Sequence, residues 1–367
     1  MAIDCSTSSP GSRTIASPVS GQAITYPFFS NGGTALDSIS MSVTLAHVRA
    51  AAHRIGPYVR RTPLLRADAL SRATGRDVHL KLETLQITRA FKRRGACNAL
   101  LARLERDGRL PPLVTASAGN HGLAVASIAV ELGASVTIYV PADAPRAKLD
   151  RLRGPGITIV ADCRDYDEAE ARAIAAADGT GAFVSPYNDA DVIAGAGTIA
   201  LEVLDDLPGC GAIVVPTGGG GLLSGVAIAA DGRVPVVGVE PALNPAFTEA
   251  LAAGHITTIA PGRSLADGLL GNLEPGAQTF DLVRAAGTPI VLAPEPAIVN
   301  AVRALFEHER LVTEGAGAVG LAALLDGRLD RWPDPLVLLV TGANVDIATF
   351  ARVIEGDAGQ RRDASIT

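Results

Sequence analysis

The sequence predicts an α/β protein organised on mostly parallel sheets. Short apolar, strand-like runs alternate with helical stretches along the chain, and small or glycine-rich turns stand where a run gives way to a helix. Residues 1–40 precede this pattern; they are rich in Ser, Gly, Thr and Pro, lack apolar periodicity and read as a flexible N-terminal extension. From Val43 to Ile55 apolar residues fall at helical spacing, and Val78-His-Leu-Lys-Leu82 alternates like a strand. Further strands are expected at Leu113–Thr115, Ser135–Val140, Ile157–Val160, Ala212–Val215, Val234–Val239 and Leu336–Val340. Helices are expected at Ala124–Leu132 and Ile298–His308. Strands joined through helices pair in parallel, because the crossover returns the chain to the same end of the sheet.

With 367 residues, 48% hydrophobic and 19% charged, the chain is large enough for one big domain or two to three ordinary ones. Its 32 basic against 38 acidic residues give a net charge of -6 with no long basic run, so nucleic acid is not expected as a partner. Cys5, Cys97, Cys163 and Cys210 lie far apart and in no zinc-ligand spacing, which points to a reducing, cytoplasmic setting. Arg13 is the one basic residue of the first 40, and no apolar block follows it, so a targeting segment is not expected. The uncharged run Cys210–Ala230 has the length of a membrane span. Its four consecutive glycines instead divide it into a strand, a turn and a buried helix, and no membrane partner is expected.

Lysine is scarce. Only Lys81, Lys92 and Lys148 are lysine among the 32 basic residues, leaving 29 arginines. A guanidinium stays protonated, whereas an amine can lose its proton and attack a carbonyl, so a retained lysine is a candidate for covalent chemistry. Lys92 stands in Thr88-Arg-Ala-Phe-Lys-Arg-Arg-Gly-Ala96, where Arg89, Arg93 and Arg94, if close in space, lower its pKa toward that of a nucleophile. The competing reading is a surface basic cluster that opens a helix. Lys81 and Lys148 read as structural.

Two loops and one strand end add binding chemistry. Gly218, Gly219, Gly220 and Gly221 separate the strand at Ala212 from a helical run that begins near Leu222. Glycine lets backbone N–H groups approach an anion, and a helix N-terminus carries partial positive charge, so a phosphate is expected there. The spacing is neither that of a P-loop nor that of a dinucleotide fingerprint, and a tight structural turn is the alternative. Thr115-Ala-Ser-Ala-Gly-Asn-His-Gly-Leu-Ala-Val125 likewise runs from strand through small polar loop to helix. Its amides suit a substrate carboxylate, and Asn120 can donate to a ring or carbonyl oxygen, with an ordinary Asn cap as the alternative. His121 by itself reads as structural. Thr341 follows an apolar strand and offers a hydroxyl at a sheet's C-terminal edge, where ligands of α/β proteins gather.

A set of motifs runs in order along most of the chain, from about Val43 to about Ile354. They are Arg61-Thr-Pro-Leu-Leu65, Lys81-Leu-Glu83, Ala90-Phe-Lys-Arg-Arg-Gly-Ala96, Ser117-Ala-Gly-Asn-His121, Gly218–Gly221, Ala266-Asp-Gly268, Glu314-Gly-Ala316 and Thr341-Gly-Ala-Asn344. Together they resemble the fold-type II pyridoxal-phosphate enzymes, in the branch of threonine/serine dehydratases (threonine ammonia-lyases) and serine racemases. The resemblance implies two three-layer α/β domains of the tryptophan synthase β type, with the cofactor between them. Residues 41–108 and 187–355 would form the large domain, 109–186 a small mobile one, and 356–367 a C-terminal tail. It also implies that Lys92 bonds to pyridoxal 5'-phosphate, that Phe91 lies beside the ring and that Asn120 meets the ring hydroxyl. Gly218, Gly219, Gly220 and Gly221 with Leu222 would hold the phosphate, and Thr341 would face the pyridine nitrogen. Ser117, Ala118, Gly119, Asn120 and His121 would bind the substrate carboxylate. A homodimer is the assembly that the resemblance implies.

A neutral hydroxyl at the pyridine nitrogen cannot keep that nitrogen protonated as a carboxylate would, so the cofactor is a weaker electron sink and β-elimination is favoured. The expected activity is α,β-elimination of water from a β-hydroxy amino acid such as L-threonine or L-serine, giving a 2-oxo acid and ammonia, with Lys92 removing the α-proton. Serine racemases carry a second serine where this chain has Ala118, so dehydration is preferred over racemisation. Arg89 stands where relatives usually have a small residue or histidine, and Ala90 where they have serine; a cation there suits an acidic side chain or simply points to solvent, which is the preferred reading. A specialised lyase for 3-hydroxyaspartate, phenylserine or a hydroxyectoine-derived amino acid is therefore the runner-up. A catalytically silent cofactor-binding protein is the reading from another class. Glu314, followed by Gly where many relatives have Pro, joins Arg89 as a candidate selectivity residue. Glu240 matches one carboxylate of the family's cation loop, but Ala246 replaces another, which leaves the ligand set short for a hard cation. The chain runs only a little past the last motif, so the regulatory domain of biosynthetic threonine deaminases is not expected.

Overall fold

The computed structural model describes residues 12–16, 23–27, 43–178, 182–260 and 262–356. Within the expected N-terminal extension, strands β1 (Ser12–Ala16) and β2 (Ala23–Pro27) pair antiparallel. The other residues of that extension, and 357–367 of the expected tail, lie outside the described residues.

Among the described residues, the unit that begins at Val43 carries ten strands in two sheets. They are β3 (Leu64–Arg66), β4 (Val78–Leu82), β5 (Leu113–Ala116), β6 (Val136–Pro141), β7 (Ile157–Cys163), β8 (Ala182–Phe183), β9 (Ala212–Pro216), β10 (Val236–Pro241), β11 (Ile290–Ala293) and β12 (Leu336–Val340). The larger sheet has the order β11-β10-β9-β12-β4-β3 and is parallel except for β3, which closes one edge antiparallel to β4. The smaller sheet, β7-β6-β5-β8, is parallel throughout, and all its strands fall between residues 109 and 186.

Burial explains this arrangement. β9 and β12 are apolar at every position and buried on both faces, as central strands of a covered parallel sheet must be. Leu80, Val214 and Leu338 pack to one side with the helices Glu295–Glu309 and Gly315–Leu325. The other side meets the helices Ala190–Asp206 and Gly221–Ala230. In the smaller sheet Val136, Ile138 and Val140 pack with the helices Lys92–Asp107 and Asn120–Glu131, while Val114, Ala116 and Tyr139 face the helix Tyr166–Ala177. Each sheet is thus the middle of three layers.

All the expected strands are present. β1 and β2, which fall in the expected flexible extension, and β3, β8 and β11 were not expected. The uncharged run does divide into β9, a turn and the helix Gly221–Ala230, and no helix among the described residues is long and apolar enough to cross a membrane.

One expectation is overturned. Arg93 and Arg94 are neither a surface cluster nor free charges beside Lys92: both are buried and both are paired. Arg93 donates to the Tyr58 carbonyl and to Ser127 and pairs with Glu131. Arg94 pairs with Glu83 at 2.8 Å and with Glu202 at 2.6 Å. Lys81 joins the same group, donating to Glu202 and to the Thr62 carbonyl, so it is structural as expected. Burial by itself raises the Glu83 carboxyl, yet Arg94, Thr62 and Lys81 together hold it below the ordinary carboxylate value. Glu83→Ala removes one carboxylate from this dry group and leaves Arg94 underpaired. A loss of about 3 kcal/mol in unfolding free energy is expected from denaturant midpoints; a loss below about 1 kcal/mol would mark the pairing as no stronger than a surface ion pair.

Candidate active site

Lys92 is the first residue of the helix Lys92–Asp107, and the segment before it is held by the loop after β12. Ala90 bridges to Gly342, the Phe91 N–H donates to the Thr341 carbonyl at 3.0 Å, and the Ala343 N–H donates to Arg89 at 2.9 Å. Phe91, Lys92 and Thr341 are therefore brought together by backbone pairing. Arg89 takes a left-handed φ of 59°, and its exposed side chain has no hydrogen bond or ion pair among the described residues.

The Lys92 amine donates to the Pro186 carbonyl at 2.7 Å and lies 5.1 Å from the Phe91 ring centroid. Burial pushes this amine down to about 8, against the upward pull of the Glu314 charge. Desolvation, not the neighbouring arginines, lowers it, because Arg93 and Arg94 spend their charge on carboxylates.

Tyr187, the residue after Pro186, lies against the glycine turn. A Cβ on Gly219 would run into the Tyr187 ring; Gly220 has φ 83°, and a Cβ there would strike the Phe247 ring. The turn is therefore packed from behind by two aromatic side chains. The N–H groups of Gly218 through Leu222 find no acceptor among the described residues, although Gly220, Gly221 and Leu222 are buried. Unfilled donors at a helix N-terminus make an anion site.

The loop Ser117–His121 follows β5 and opens the helix Asn120–Glu131. Gly119 donates to the Ser117 hydroxyl at 3.1 Å, while the Ala118 and Asn120 N–H groups have no acceptor among the described residues. The Asn120 side chain donates to Glu314 at 2.6 Å. Glu314 is buried; its carboxyl is pushed up to about 7 by desolvation first and by Asp267 second. His121 uses Nε2–H on the Val184 carbonyl at 2.9 Å, leaving Nδ1 buried and unpartnered. Burial, aided by the Lys92 charge, pushes its imidazole down to about 3, so it is neutral at physiological pH.

Glu240 stands apart from these groups. Its carboxylate accepts from the Phe247 N–H at 2.7 Å and from the N–H and hydroxyl of Thr248, tying down the start of the helix Ala246–Ala253. It thereby holds the residue that backs Gly220.

Sequence reasoning missed Pro186, Tyr187, Asn344, Lys148 and Asp267 as parts of this site. Asn344 donates to Asn120 at 2.6 Å, and Lys148 pairs with Asp267 at 3.4 Å. Motifs containing Asn344 and Asp267 were visible, but nothing local showed what these residues touch. Pro186 acts through a backbone carbonyl, which no residue identity reveals.

A simple aldehyde trapped by borohydride should modify Lys92 with a half-maximal rate near pH 8, far below the ordinary lysine value of 10.5. Glu314→Gln removes the opposing charge and should lower that midpoint; an unshifted midpoint near 10.5 in both proteins would refute the desolvated amine.

An enclosed amine for an aldehyde, unfilled N–H donors for a phosphate and a Thr341 hydroxyl without a hydrogen-bond partner among the described residues fit pyridoxal 5'-phosphate. Comparison with known proteins agrees. The family model described as "Pyridoxal-phosphate dependent enzyme" matches residues 55–342. An L-threonine ammonia-lyase of Thermotoga maritima is 39% identical over 316 residues, 85% of this chain and 78% of that protein. A T.th. threonine deaminase superposes with a TM-score of 0.76 at 37% identity, covering 83% of this chain and 99% of that one. Maize serine racemase superposes with a TM-score of 0.78 at 31% identity, covering 86% and 97%. The chain belongs to the pyridoxal-phosphate-dependent enzymes of fold-type II, in the branch of threonine/serine dehydratases and serine racemases.

Proposed function

We propose that this enzyme is an ammonia-lyase that removes water from a β-hydroxy amino acid such as L-threonine or L-serine, releasing a 2-oxo acid and ammonia. The observation that carries the reading is Lys92, an amine lowered to about 8 and aimed by the Pro186 carbonyl, together with the unfilled N–H donors of two helix N-termini. Relatives described as L-threonine ammonia-lyase support the same reaction class.

When bound, the cofactor supplies an electron-accepting ring that stabilises negative charge at the substrate's α-carbon. The residues do the rest. Gly218 to Gly221 and Leu222 would hold its phosphate through backbone N–H groups, Thr341 would serve the ring nitrogen, Phe91 the ring face, and the remaining side-chain N–H of Asn120 the ring hydroxyl. The amides of Ser117 to His121 bind the substrate carboxylate. Lys92 takes the α-proton on Nζ, for which a pKa near operating pH is well matched. The β-hydroxyl departs as water, taking up a proton from the Lys92 ammonium, and the released enamine adds water to give the 2-oxo acid and ammonia.

Ala118 offers no hydroxyl to return a proton from the opposite face, which supports elimination over racemisation. Arg89 is exposed and unpaired among the described residues, which favours neutral over acidic side chains. Segment 109–186 acts as a closing domain: its Asn120 and Lys148 reach Glu314 and Asp267 across the site, excluding water from the reaction. The buried free thiols Cys97 and Cys163 support a cytoplasmic setting, and family likeness supports a homodimer.

Lys92→Ala should abolish ammonia release from L-threonine and L-serine; turnover at the parent rate would exclude the mechanism. Ala118→Ser should introduce measurable D-serine formation from L-serine, followed by chiral chromatography, whereas an unchanged product mixture would separate this position from proton return. Arg89→Gly should leave the ratio of kcat/KM for 3-hydroxyaspartate and L-threonine within about threefold, and a drop of tenfold or more would make Arg89 a selectivity residue.

A further inference from the structure

Beyond these roles, we infer that Asn344 is a positioning residue for the elimination: it sets which way the Asn120 carboxamide faces and ties that residue's helix to the larger sheet. The inference rests on the reading of Asn120 as the residue that meets the cofactor ring.

Asn344 lies just past β12, and each polar atom of its side chain is in use. Its Nδ2 donates to the Asn120 Oδ1 at 2.6 Å and to the Thr88 carbonyl at 2.9 Å. Its Oδ1 accepts from Arg151, on the short helix Arg146–Leu152. Its backbone N–H donates to Glu314 Oε2 at 3.1 Å, while Glu314 Oε1 takes the Asn120 Nδ2 at 2.6 Å.

Asn120, Asn344 and Glu314 therefore form a closed set with one permitted orientation. An amide has one acceptor and two donor hydrogens, and here the acceptor and one hydrogen of Asn120 are both taken. Flipping the Asn120 amide would set its oxygen against the Glu314 carboxylate and its NH2 against the NH2 of Asn344. The Thr88 carbonyl fixes the Asn344 amide in turn, because only an NH2 can meet it. One Asn120 N–H remains uncommitted, and the network determines where it points. Thr88, Glu314 and Asn344 belong to the chain around the larger sheet, whereas Asn120 and Arg151 come from residues 109–186. The orienting contact is thus also the one that joins the two parts of the site.

The test compares parent and Asn344→Ala enzymes through three readouts. These are pyridoxal 5'-phosphate affinity of the apoenzyme by fluorescence titration, the pH midpoint of the holoenzyme's visible absorbance, and kcat and KM for L-threonine. A weakening of cofactor affinity by about tenfold, a displaced midpoint and a kcat that falls more than KM changes are expected, since the part-buried Asn120 Oδ1 and Thr88 carbonyl both lose their donor. A lower melting temperature with unchanged affinity and midpoint would reduce Asn344 to a structural residue and overturn the inference. Should Asn344→Ala fail to fold, Asn344→Asp keeps the shape and the acceptor for Arg151 but removes the donor to Asn120. The same displacement is expected of it, and an unshifted midpoint overturns the inference. Lys92→Ala separates the two levels: a visible band that survives this substitution defeats the functional reading itself, whereas its loss there with an unmoved Asn344 variant defeats only the positioning role.

Discussion

The buried group around Arg94 is the constraint on which the site depends. Two residues beyond Lys92, Arg94 binds Glu83 at the end of β4 and Glu202 on the helix Ala190–Asp206, while Lys81 from β4 shares Glu202. Charges removed from water are tolerated only where each is paired in good geometry, so this group admits one arrangement of strand and helices. That arrangement fixes the start of the helix on which Lys92 stands. The two cations are thereby driven apart: Arg94 is held charged by two carboxylates, whereas burial brings Lys92, given only a carbonyl, down to about 8, within reach of deprotonation.

The connector from β8 to the next helix carries this order across the site. The Val184 carbonyl accepts from His121 and Thr115, the Pro186 carbonyl orients Lys92, and the Tyr187 ring backs the glycine turn. The Tyr187 hydroxyl in turn accepts from the Glu274 N–H at 2.8 Å. A few residues therefore link the Ser117–His121 loop, the Lys92 amine and the glycine turn. Backbone carbonyls suit that task because their positions follow from strand and turn geometry, with no rotamer freedom to lose.

What the sequence could determine alone was whatever leaves a local trace. Apolar runs marked the central strands, since a strand covered on both faces must be apolar throughout. Four consecutive glycines marked a turn whose backbone must lie close against the Tyr187 and Phe247 rings. The scarcity of lysine narrowed the candidates to Lys81, Lys92 and Lys148, and the segment around Lys92 set it apart from the other two. The order of the motifs then carried the family resemblance.

Only the tertiary structure decided which charges cancel and which polar groups meet. Lys92 and its two following arginines read alike in sequence as a basic cluster, yet the arginines find carboxylates on other elements, in one case 108 residues away. Asn120 and Glu314 meet across 194 residues, and Asn344 reaches Asn120 across 224. Periodicity and turn chemistry are properties of neighbouring residues and survive in the linear chain. Desolvation and hydrogen-bond pairing depend on distances in space, which exist only once the two sheets have folded.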